Sequence, residues 1–424
     1  MVFNHMTFSM FRYCKTAARI LNNSRKIDKY PVYSLSDFTS AAPNKTRARV
    51  LGIETSCDDT GAAVVDSDGN IVGNALHSQT SVSVALGGVL PRYARAIHQQ
   101  HIKNVVKDAL CQANIQVKDL DAIAVTVKPG LAPCLEVGLT HAKRLVEESR
   151  VPMIPIHHME AHALTARMIE QIAFPFLVLL VSGGHCLLSV AKDIDDFLLL
   201  GTCLDSSPGE AFDKVARRLK LKNLPQCNGL SGGGMIELLA RDGDIEAIPA
   251  PNVHSDQNAS SFSFAGIKSQ YLRYIEEEEI KQGIVASHVI SNASDMCASF
   301  QYAVLKHLAK RLQRAFIYCD TFELLPEHNK TLVISGGVAC NQFLRQGLQK
   351  VCDHYNSRLI CPPPHLCTDN GIMIAWNGME KLKAGRGFAE DPLTMRYTPK
   401  SPFGTDITAE VAKVSIKLPK LKLL

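Results

Sequence analysis

The sequence predicts an α/β protein with two related halves, because one pattern of strands occurs twice. The first occurrence reads VLGIET, the polar turn SCDDT, GAAVVD, and a further apolar run after SDGN. The second reads FLVLLV, the turn SGGH, CLLSVA and, after DIDD, FLLLG. Short apolar runs bounded by Gly, Asn, Asp and Ser are typical of strands. Segments with helical apolar spacing follow each group, so each half is expected to combine a sheet with helices.

The remaining elements follow in chain order. A helix around residues 97–112, the strand AIAVTV, a helix after PGLAP and the strand PMIPI are expected between the two groups. Helices starting at GEAFDKVARRL, the strand TLVISGG, a helix from VACNQF, the strand RLICPPP and a helix in TDNGIMIAWNGMEKL are expected after them. We expect an N-terminal lobe at 49–172 completed by 366–400, a C-terminal lobe at 173–365, and an irregular basic tail at 401–424.

Composition and charge indicate a globular protein without the bulk charge of a nucleic-acid-binding polycation. The chain has 424 residues, 46% of them apolar, and a formal charge of +5. Residues 1–49 carry nine Lys or Arg against two Asp, a net charge of +7, which leaves the rest of the chain at −2. Any contact with a polyanion must therefore come from local basic patches of the body.

The N-terminal segment 1–48 has two interpretations. Its mixture of apolar, basic and hydroxyl residues with few acids is typical of a mitochondrial transit peptide, and a disordered basic tail is the alternative. The sequence contains no apolar run of the length of a membrane span, so no membrane insertion is expected. The thirteen cysteines contain no C-x-x-C pair, which argues against a cysteine zinc site and favours a reducing compartment.

The segment HHMEAH places two histidines four residues apart on a predicted helix. His158 and His162 then lie on one face and can reach one metal ion, as in a zinc peptidase. In the peptidase motif H-E-x-x-H the glutamate follows the first histidine and acts as the base. Here Glu160 lies about 200° around the helix from each histidine. A peptidase would lack its base, and the alternative that the histidines only line a core stays open.

Glycine turns after two predicted strands indicate a nucleotide cleft. Ser182, Gly183 and Gly184 follow FLVLLV, and the same three residue types recur at 335–337 after TLVI. Glycines at a strand end let backbone N–H groups approach a phosphate. Together with the acidic turn after the first strand, the two turns predict a cleft that holds a nucleotide from several sides.

Seven ordered motifs carry a family resemblance: GIETSCDDT, HHMEAH, LVSGGH, GEAFDK, FSFAGIK, VISGGVACN and CTDN. They resemble, in order and spacing over residues 49–390, the tRNA N6-adenosine threonylcarbamoyltransferases, and most of all their mitochondrial branch. The resemblance implies two RNase-H-like lobes of the actin, sugar kinase and heat-shock-70 ATPase type around a nucleotide cleft. The implied reaction moves the threonylcarbamoyl group of threonylcarbamoyl-adenylate to N6 of adenosine 37, in mitochondrial tRNAs that read codons beginning with A.

The resemblance also implies roles for individual residues. The implied ligands of one divalent metal ion per subunit, iron or zinc, are His158, His162 and Asp369. The implied substrate-binding residues are Leu180, Val181, Ser182, Gly183, Gly184, Asp213, Gly233, Glu237 and Asn341. The acidic pair near the reacting group is Asp58 and Asp59. The sequence departs from the family where G-G-P is Gly-Gly-Gly, where G-P-G-L starts with Lys128, and where Arg92 replaces an acid in GGVLPR.

Partners and location follow from the same resemblance. The expected partners are tRNA and a separate synthase that supplies the adenylate, and the expected assembly is a homodimer in the mitochondrial matrix. Arg92, Arg95 and Lys128 are candidates for a local tRNA-binding patch. A nucleotide-binding actin-like scaffold without transferase activity is an alternative, although such a scaffold does not need HHMEAH and CTDN to converge on a metal.

Overall fold

A computed structural model describes residues 47–86, 88–250 and 260–423. The predicted transit peptide at 1–48 lies almost wholly outside the described residues. The first sheet has the order β3-β2-β1-β4-β5. Its strands are β1 (Arg49–Glu54), β2 (Asp59–Asp66), β3 (Ile71–Ser78), β4 (Ala122–Lys128) and β5 (Met153–His157). The first three strands are antiparallel, and β4 and β5 run parallel to β1.

The second sheet repeats this arrangement and has the order β10-β9-β6-β7-β8-β11. Its strands are β6 (Phe176–Val181), β7 (Cys186–Ala191), β8 (Phe197–Gly201), β9 (Lys330–Ser335), β10 (Ser357–Ile360) and β11 (Thr405–Asp406). Three antiparallel strands are again followed by two strands parallel to the first of them. The prediction of an α/β protein with two related halves is therefore confirmed by the repeated topology.

Helices cover the sheets. Those of the first half are α1 (Thr80–Leu86), α2 (Pro91–Gln112), α3 (Ala132–Ser149), α4 (His158–Leu164) and α5 (Ala166–Ile169). Those that follow are α6 (Pro208–Arg218), α7 (Gly232–Ala240), α8 (Ala265–Lys281), α9 (Ala293–Thr321), α10 (Gln342–His354), α11 (Pro364–Cys367), α12 (Gly371–Lys383) and α13 (Thr408–Lys413). Within the described ranges, no helix has the length and apolarity required to cross a membrane.

Each sheet is buried on both faces, which explains why its central strands read as unbroken apolar runs. In β1, Leu51 packs in the core formed with α2 and α3, whereas Val50 packs with α12 on the other face. In β6, Leu179 packs with α6 and α9, whereas Val178 packs with α4. The helix α4 follows the last strand of the first sheet but contacts β6 and β9 of the second. It therefore lies at the junction of the two halves.

Helix α12 belongs to the first sheet although it comes late in the sequence. It packs on β1 and β2 so closely that a Cβ on Gly52 would lie 2.2 Å from the Ala375 nitrogen. Only glycine permits this approach of a helix to a strand. Since α12 also contacts α4, the residues that precede α12 are brought beside the first turns of α4.

The expectation of an irregular tail at 401–424 is wrong. Two of its residues form β11 beside β8, and Thr408–Lys413 form α13. Phe403 is buried and its ring lies 4.7 Å from that of Phe197, while Val411 is fully buried and its carbonyl accepts a hydrogen bond of 3.2 Å from Arg314. The tail is rich in lysine, and its few buried apolar residues are too widely spaced to show the periodicity of a helix or a strand.

Candidate active site

His158 and His162 of HHMEAH project from adjacent turns of α4. The helix begins directly after β5, and their rings lie 4.7 Å apart and nearly perpendicular. Only 7% of His158 and 3% of His162 is exposed. The first histidine of the motif, His157, has a structural role, because its Nδ1 accepts from the Met159 N–H at 3.2 Å and its Nε2 lies 3.1 Å from the Pro402 carbonyl.

Asp369 completes a group of three possible metal ligands. It stands two residues before α12, whose first turn is capped by the side chain of Asn370. Its Oδ1 lies 3.0 Å from His162 Nε2 and 3.5 Å from His158 Nε2. All three ligand atoms lie within 4.8 Å of one another. The fold thus brings together three side chains that are separated by up to 211 positions in the chain.

Glu54 supports this group from behind, and sequence reasoning missed it. Its carboxylate is fully buried and its Oε2 lies 3.2 Å from His158 Nδ1, the nitrogen that faces away from Asp369. The Thr126 hydroxyl donates to the same oxygen, and the Ser56 hydroxyl lies 3.1 Å from His158 Nδ1. A carboxylate behind a histidine ligand fixes the orientation of its ring. The available signal was an acid at the end of the otherwise apolar run VLGIE.

The electrostatics of the group favour a cation. Burial alone would lower the pKa of His158, but the charges of Asp369 and Glu54 outweigh it and raise that pKa well above its ordinary value. Burial alone would raise the pKa of Asp369, but the charge of His158 and hydrogen bonds from both histidines hold it well below its usual range. Two imidazoles and a carboxylate are the donor set that zinc and iron accept. The residues present therefore fit a divalent metal ion.

The two acids of the SCDDT turn differ in their surroundings. The Asp58 carboxylate accepts a hydrogen bond of 2.8 Å from Ser83. In Asp59, Oδ1 is buried and has no hydrogen-bond partner among the residues that the structure describes. Burial, partly opposed by a hydrogen bond with Ser78, raises the pKa of Asp59 to about 7, and the charge of Asp369 adds to the shift. Asp59 is therefore the better placed of the two for accepting a proton near neutral pH.

The two glycine turns lie side by side because β6 and β9 are parallel neighbours, with Leu180 opposite Ser335. The backbone of Gly336 has φ of +100°, and a Cβ there would lie 2.3 Å from the Val181 carbonyl, so the turn requires glycine. No described atom lies within 4 Å of a Cβ placed on Gly183, Gly184 or Gly337, so each of these residues faces open space on the side where a side chain would stand.

Two of the implied substrate-binding residues lie in a strand and not in the glycine turn. Leu180 and Val181 are the last residues of β6, and each is only 1% exposed. Their side chains fill the core of the second sheet, so a ligand can meet only their backbone. The turn itself consists of Ser182 to His185, closed by a hydrogen bond of 2.9 Å from the Ser182 N–H to the His185 carbonyl.

His185 lies in this turn, close enough to the candidate metal ligands to feel their charge. His185 is an exposed residue of this turn. Partial desolvation, followed by the neighbouring His158 and His162, lowers the pKa of His185 to about 4. The imidazole is neutral at physiological pH, and sequence reasoning did not single it out.

The remaining predicted substrate contacts meet at the starts of α7 and α10. Asp213 of α6 accepts a backbone hydrogen bond from Gly232, next to the open backbone of Gly233. Glu237 of α7 accepts a hydrogen bond of 2.8 Å from the Gln342 N–H. The adjacent Asn341 is buried and caps α10, because its side-chain oxygen accepts from Leu344 at 2.9 Å. The N–H groups of Gly232, Gln342 and Leu344 at these helix starts are thus already paired within the protein.

The three basic residues that are candidates for tRNA contact differ in their exposure and in their ion pairing. Arg92 is exposed in the first turn of α2, and Lys128 is partly exposed at the end of β4. Arg95 forms an ion pair of 2.9 Å with Glu136. The charge of Arg95 is thus partly offset, and the candidate patch is reduced to Arg92 and Lys128.

Comparison with known proteins gives one consistent result. Residues 70–376 match the family model described as tRNA N6-adenosine threonylcarbamoyltransferase. The chain is 50% identical over 379 residues to a Danio rerio protein named mitochondrial tRNA N6-adenosine threonylcarbamoyltransferase, covering 89% of this chain and 94% of the relative. It is 49% identical over 379 residues to a Homo sapiens protein of the same name, covering 88% and 90%. A Rhizobium leguminosarum tRNA N6-adenosine threonylcarbamoyltransferase is 39% identical over 366 residues, covering 85% and 95%. The chain belongs to the tRNA N6-adenosine threonylcarbamoyltransferase family.

Proposed function

We propose that this protein transfers the threonylcarbamoyl group from threonylcarbamoyl-adenylate to N6 of adenosine 37 in mitochondrial tRNAs that read codons beginning with A. The observation that carries the proposal is the convergence of His158, His162 and Asp369 at α4, a helix that contacts β6 and β9, the two strands that end in the paired glycine turns. A metal ligand set next to an anion-binding cleft suits an adenylate whose acyl group must be oriented. In this proposal, each of the two related halves supplies one wall of the cleft.

The metal site has a defined place in this proposal. His158, His162 and Asp369 would hold one divalent ion, iron or zinc, with Glu54 fixing the ring of His158. Three protein ligands leave coordination positions open, so the ion would polarise and orient oxygens of the threonylcarbamoyl group as a Lewis acid.

The protein itself must position the adenine amine and stabilise the leaving group. The lone pair of an exocyclic adenine amine is delocalised into the ring, so the amine is a poor nucleophile and must be held close to the carbamoyl carbon. As N6 bonds to this carbon, the bond to the phosphate oxygen breaks and AMP leaves. Gly183, Gly184 and Gly337 follow the ends of β6 and β9 and have open space where a side chain would stand, so the departing phosphate could approach their backbone closely.

The proton lost from N6 requires an acceptor. We assign this role to Asp59, whose buried carboxylate oxygen is unpaired among the described residues and whose pKa is raised to about 7. A base with a pKa near the working pH combines a useful deprotonated fraction with a sufficient affinity for the proton. Asp58, which is held by Ser83, would shape the turn.

Two other functions fit the structure less well. A metallopeptidase needs a glutamate beside the metal, whereas Glu160 forms an ion pair with Lys381 on the other side of α4. An actin-like scaffold without transferase activity has no need for three metal ligands assembled from α4 and the start of α12. The family to which the chain belongs also opposes both alternatives.

The proposal extends to location and partners. The relatives named above as mitochondrial and the basic segment 1–48 support import into the matrix, and a reporter fused to this segment that stayed in the cytosol would contradict it. We further propose a homodimer that depends on a separate synthase for the adenylate. Light scattering of the purified protein tests the dimer.

A reconstituted reaction tests the function. Purified protein, a mitochondrial tRNA transcript with A37, ATP, threonine, bicarbonate and a purified synthase are combined, and the nucleosides are analysed by mass spectrometry. The modified nucleoside is expected with the wild type, and not with His158→Ala or without the synthase. Unmodified tRNA in the complete reaction, with metal-loaded protein and active synthase, would overturn the proposal.

A further inference from the structure

The C-terminal segment 411–423 has one apolar face and one basic face. Positions 413, 415 and 417 are exposed and carry lysine or serine, whereas positions 414, 416 and 418 are partly buried and carry apolar residues. The segment contains no Asp or Glu. Its four lysines are all exposed and together form the lysine row: Lys413, Lys417, Lys420 and Lys422.

The apolar face fixes this segment on the second half of the protein. Val411 is fully buried and only 7% of Leu423 is exposed, and both belong to the core shared by β6 and α9. Arg314, which is fully buried in α9, donates to the carbonyls of Val411 and Val414. Three further apolar residues pack against the same core, namely Val414, Ile416 and Leu421. The lysine row therefore has a fixed place on the surface.

The charges of the lysine row are not neutralised within the part of the chain that the structure describes. No member of the row has a hydrogen bond or an ion pair with another described residue. Other surface lysines do have such partners, since Lys192 lies 3.0 Å from Asp196 and Lys281 lies 3.1 Å from Glu278. Like charges that lie close together repel one another and destabilise the fold. A partner that carries negative charges would relieve this repulsion.

We propose that the lysine row is a contact surface for the phosphate backbone of tRNA. The proposal rests on the proposed function, because it takes tRNA as the substrate. Lysine ammonium groups bind phosphate oxygens as point charges and position a nucleic acid without reading its sequence. The chain from Lys417 to Lys422 spans at most about 17 Å. Since nucleic acids carry a phosphate every few ångströms, neighbouring lysines of the row can contact separate phosphates of one tRNA arm.

The surface chemistry favours a nucleic acid over an anionic membrane. Basic segments that bind membranes place an apolar face in the lipid interface and keep their charges at the headgroups. In this protein the apolar face is already used in the core. Besides the lysines, the fully exposed positions of the segment are only Ser415 and Pro419. The row thus offers charge without apolar contact, which suits a phosphate backbone.

The lysine row is separate from the patch of Arg92 and Lys128. Those two residues belong to the first half of the protein, whereas the row packs on the core of the second half. A tRNA that contacts both surfaces would be held by both halves at once. Because the two surfaces share no residue, their effects on the logarithm of the affinity are expected to add.

Binding measurements with the full-length protein test the row. The affinity for a mitochondrial tRNA transcript is measured by fluorescence anisotropy at several salt concentrations. The triple variant Lys417→Gln, Lys420→Gln, Lys422→Gln is expected to lose about tenfold or more in affinity, and the slope of log K against log salt is expected to fall by about 0.9 for each lost phosphate contact. Replacement of the same three lysines by arginine is expected to keep both the affinity and the slope. Circular dichroism verifies that each variant is folded.

A matched control removes three positive charges that are already paired. In the variant Lys192→Gln, Lys281→Gln, Lys330→Gln, each lysine has an acidic partner in the wild type, and the tRNA affinity is expected to stay unchanged. If this control loses as much affinity as the triple variant of the row, only the net charge matters and the assigned surface is wrong.

The remaining outcomes separate this proposal from the proposed function. If the wild type modifies tRNA in the reconstituted reaction but the triple variant binds tRNA with wild-type affinity, the function stands and the lysine row is not a tRNA contact. If the triple variant keeps its tRNA affinity but no longer binds vesicles of phosphatidylcholine and phosphatidylglycerol that the wild type binds, the row serves a membrane surface instead. A wild type that binds no tRNA at all would overturn both proposals.

Discussion

Glu160 Oε2 and Lys381 Nζ form an ion pair of 3.1 Å between α4 and α12. Only 13% and 9% of the two side chains is exposed, so the pair lies largely out of water. These two helices also position the three candidate metal ligands. His158 and His162 lie on α4, and Asp369 lies two residues before the start of α12. The glutamate of HHMEAH thus holds together the elements that build the site and faces away from the site itself.

The first prediction is that Glu160→Gln keeps transfer activity within severalfold and lowers stability. The substitution leaves the Lys381 charge largely buried without its partner, which costs about 3 kcal/mol of the free energy of unfolding. Urea denaturation measures this loss. The double variant Glu160→Gln with Lys381→Met is expected to recover most of it, because no buried charge is left. Loss of all activity in a folded Glu160→Gln protein would give the glutamate a chemical role that we exclude.

The second prediction concerns the metal ligands. His158→Ala, His162→Ala and Asp369→Ala are each expected to lose bound metal and tRNA modification while the circular dichroism spectrum is retained. His157→Gln is the matched control in the same motif. It is expected to keep the metal, because His157 contacts Pro402 and Met159. Full metal content in His158→Ala, measured by elemental analysis, would show that the ligand set is wrong.

The third prediction is that metal binding weakens as the pH falls. The pKa of His158 is raised above its ordinary value in the metal-free protein, so the metal must displace a proton even near neutral pH. The affinity for the metal is therefore expected to rise with pH until the pH exceeds the raised pKa of His158. If one proton is displaced, the rise is up to about tenfold per pH unit. Competition with a chelator at several pH values between about 6 and 9 measures the metal affinity.

Glu54→Gln provides the control for this pH dependence. The substitution removes one of the two negative charges that raise the pKa of His158, so the pH range of the effect is expected to move to lower values. An unchanged pH profile in this variant would indicate that Glu54 does not set the protonation of the site.

The fourth prediction concerns the proton acceptor. Asp59→Asn is expected to reduce turnover by about 10²–10⁴-fold with little change in adenylate affinity. The carboxylate form of Asp59 predominates above its pKa of about 7, so wild-type turnover is expected to rise with pH through this range. That rise is expected to disappear in Asp59→Asn, whereas Asp58→Asn is expected to keep it. If turnover of Asp59→Asn still rises with pH in this range, a group other than Asp59 accepts the proton.

The fifth prediction concerns tRNA. Reversal of Arg92 and Lys128 to Glu is expected to weaken tRNA binding and reduce the salt dependence of the affinity, with adenylate binding unchanged. If each residue contacts one phosphate, the slope of log K against log salt falls by about 2. Arg95→Ala is the control with a smaller effect, because Arg95 is paired with Glu136. If the double variant binds tRNA with unaltered affinity at physiological salt, these two residues belong to an ordinary solvated surface and not to a tRNA-binding patch.

The sequence by itself determined those features that depend on short-range patterns. The alternation of strands and turns predicted both sheets, since three antiparallel strands joined by short turns are encoded locally. The spacing of His158 and His162 predicted that they share a helical face and that Glu160 does not. The lysine-rich tail shows the limit of such patterns, because β11 and α13 depend on contacts with β8 and α9 that no local period records.

Only the tertiary structure decided which residues that are distant in the sequence lie next to each other. Glu54 and His158 are 104 positions apart, yet Glu54 lies behind the histidine because the last residue of β1 meets the first residue of α4 in the fold. The different surroundings of Asp58 and Asp59 likewise depend on packing. A pKa is set by burial and by neighbouring charges, and these come from elements distant in sequence.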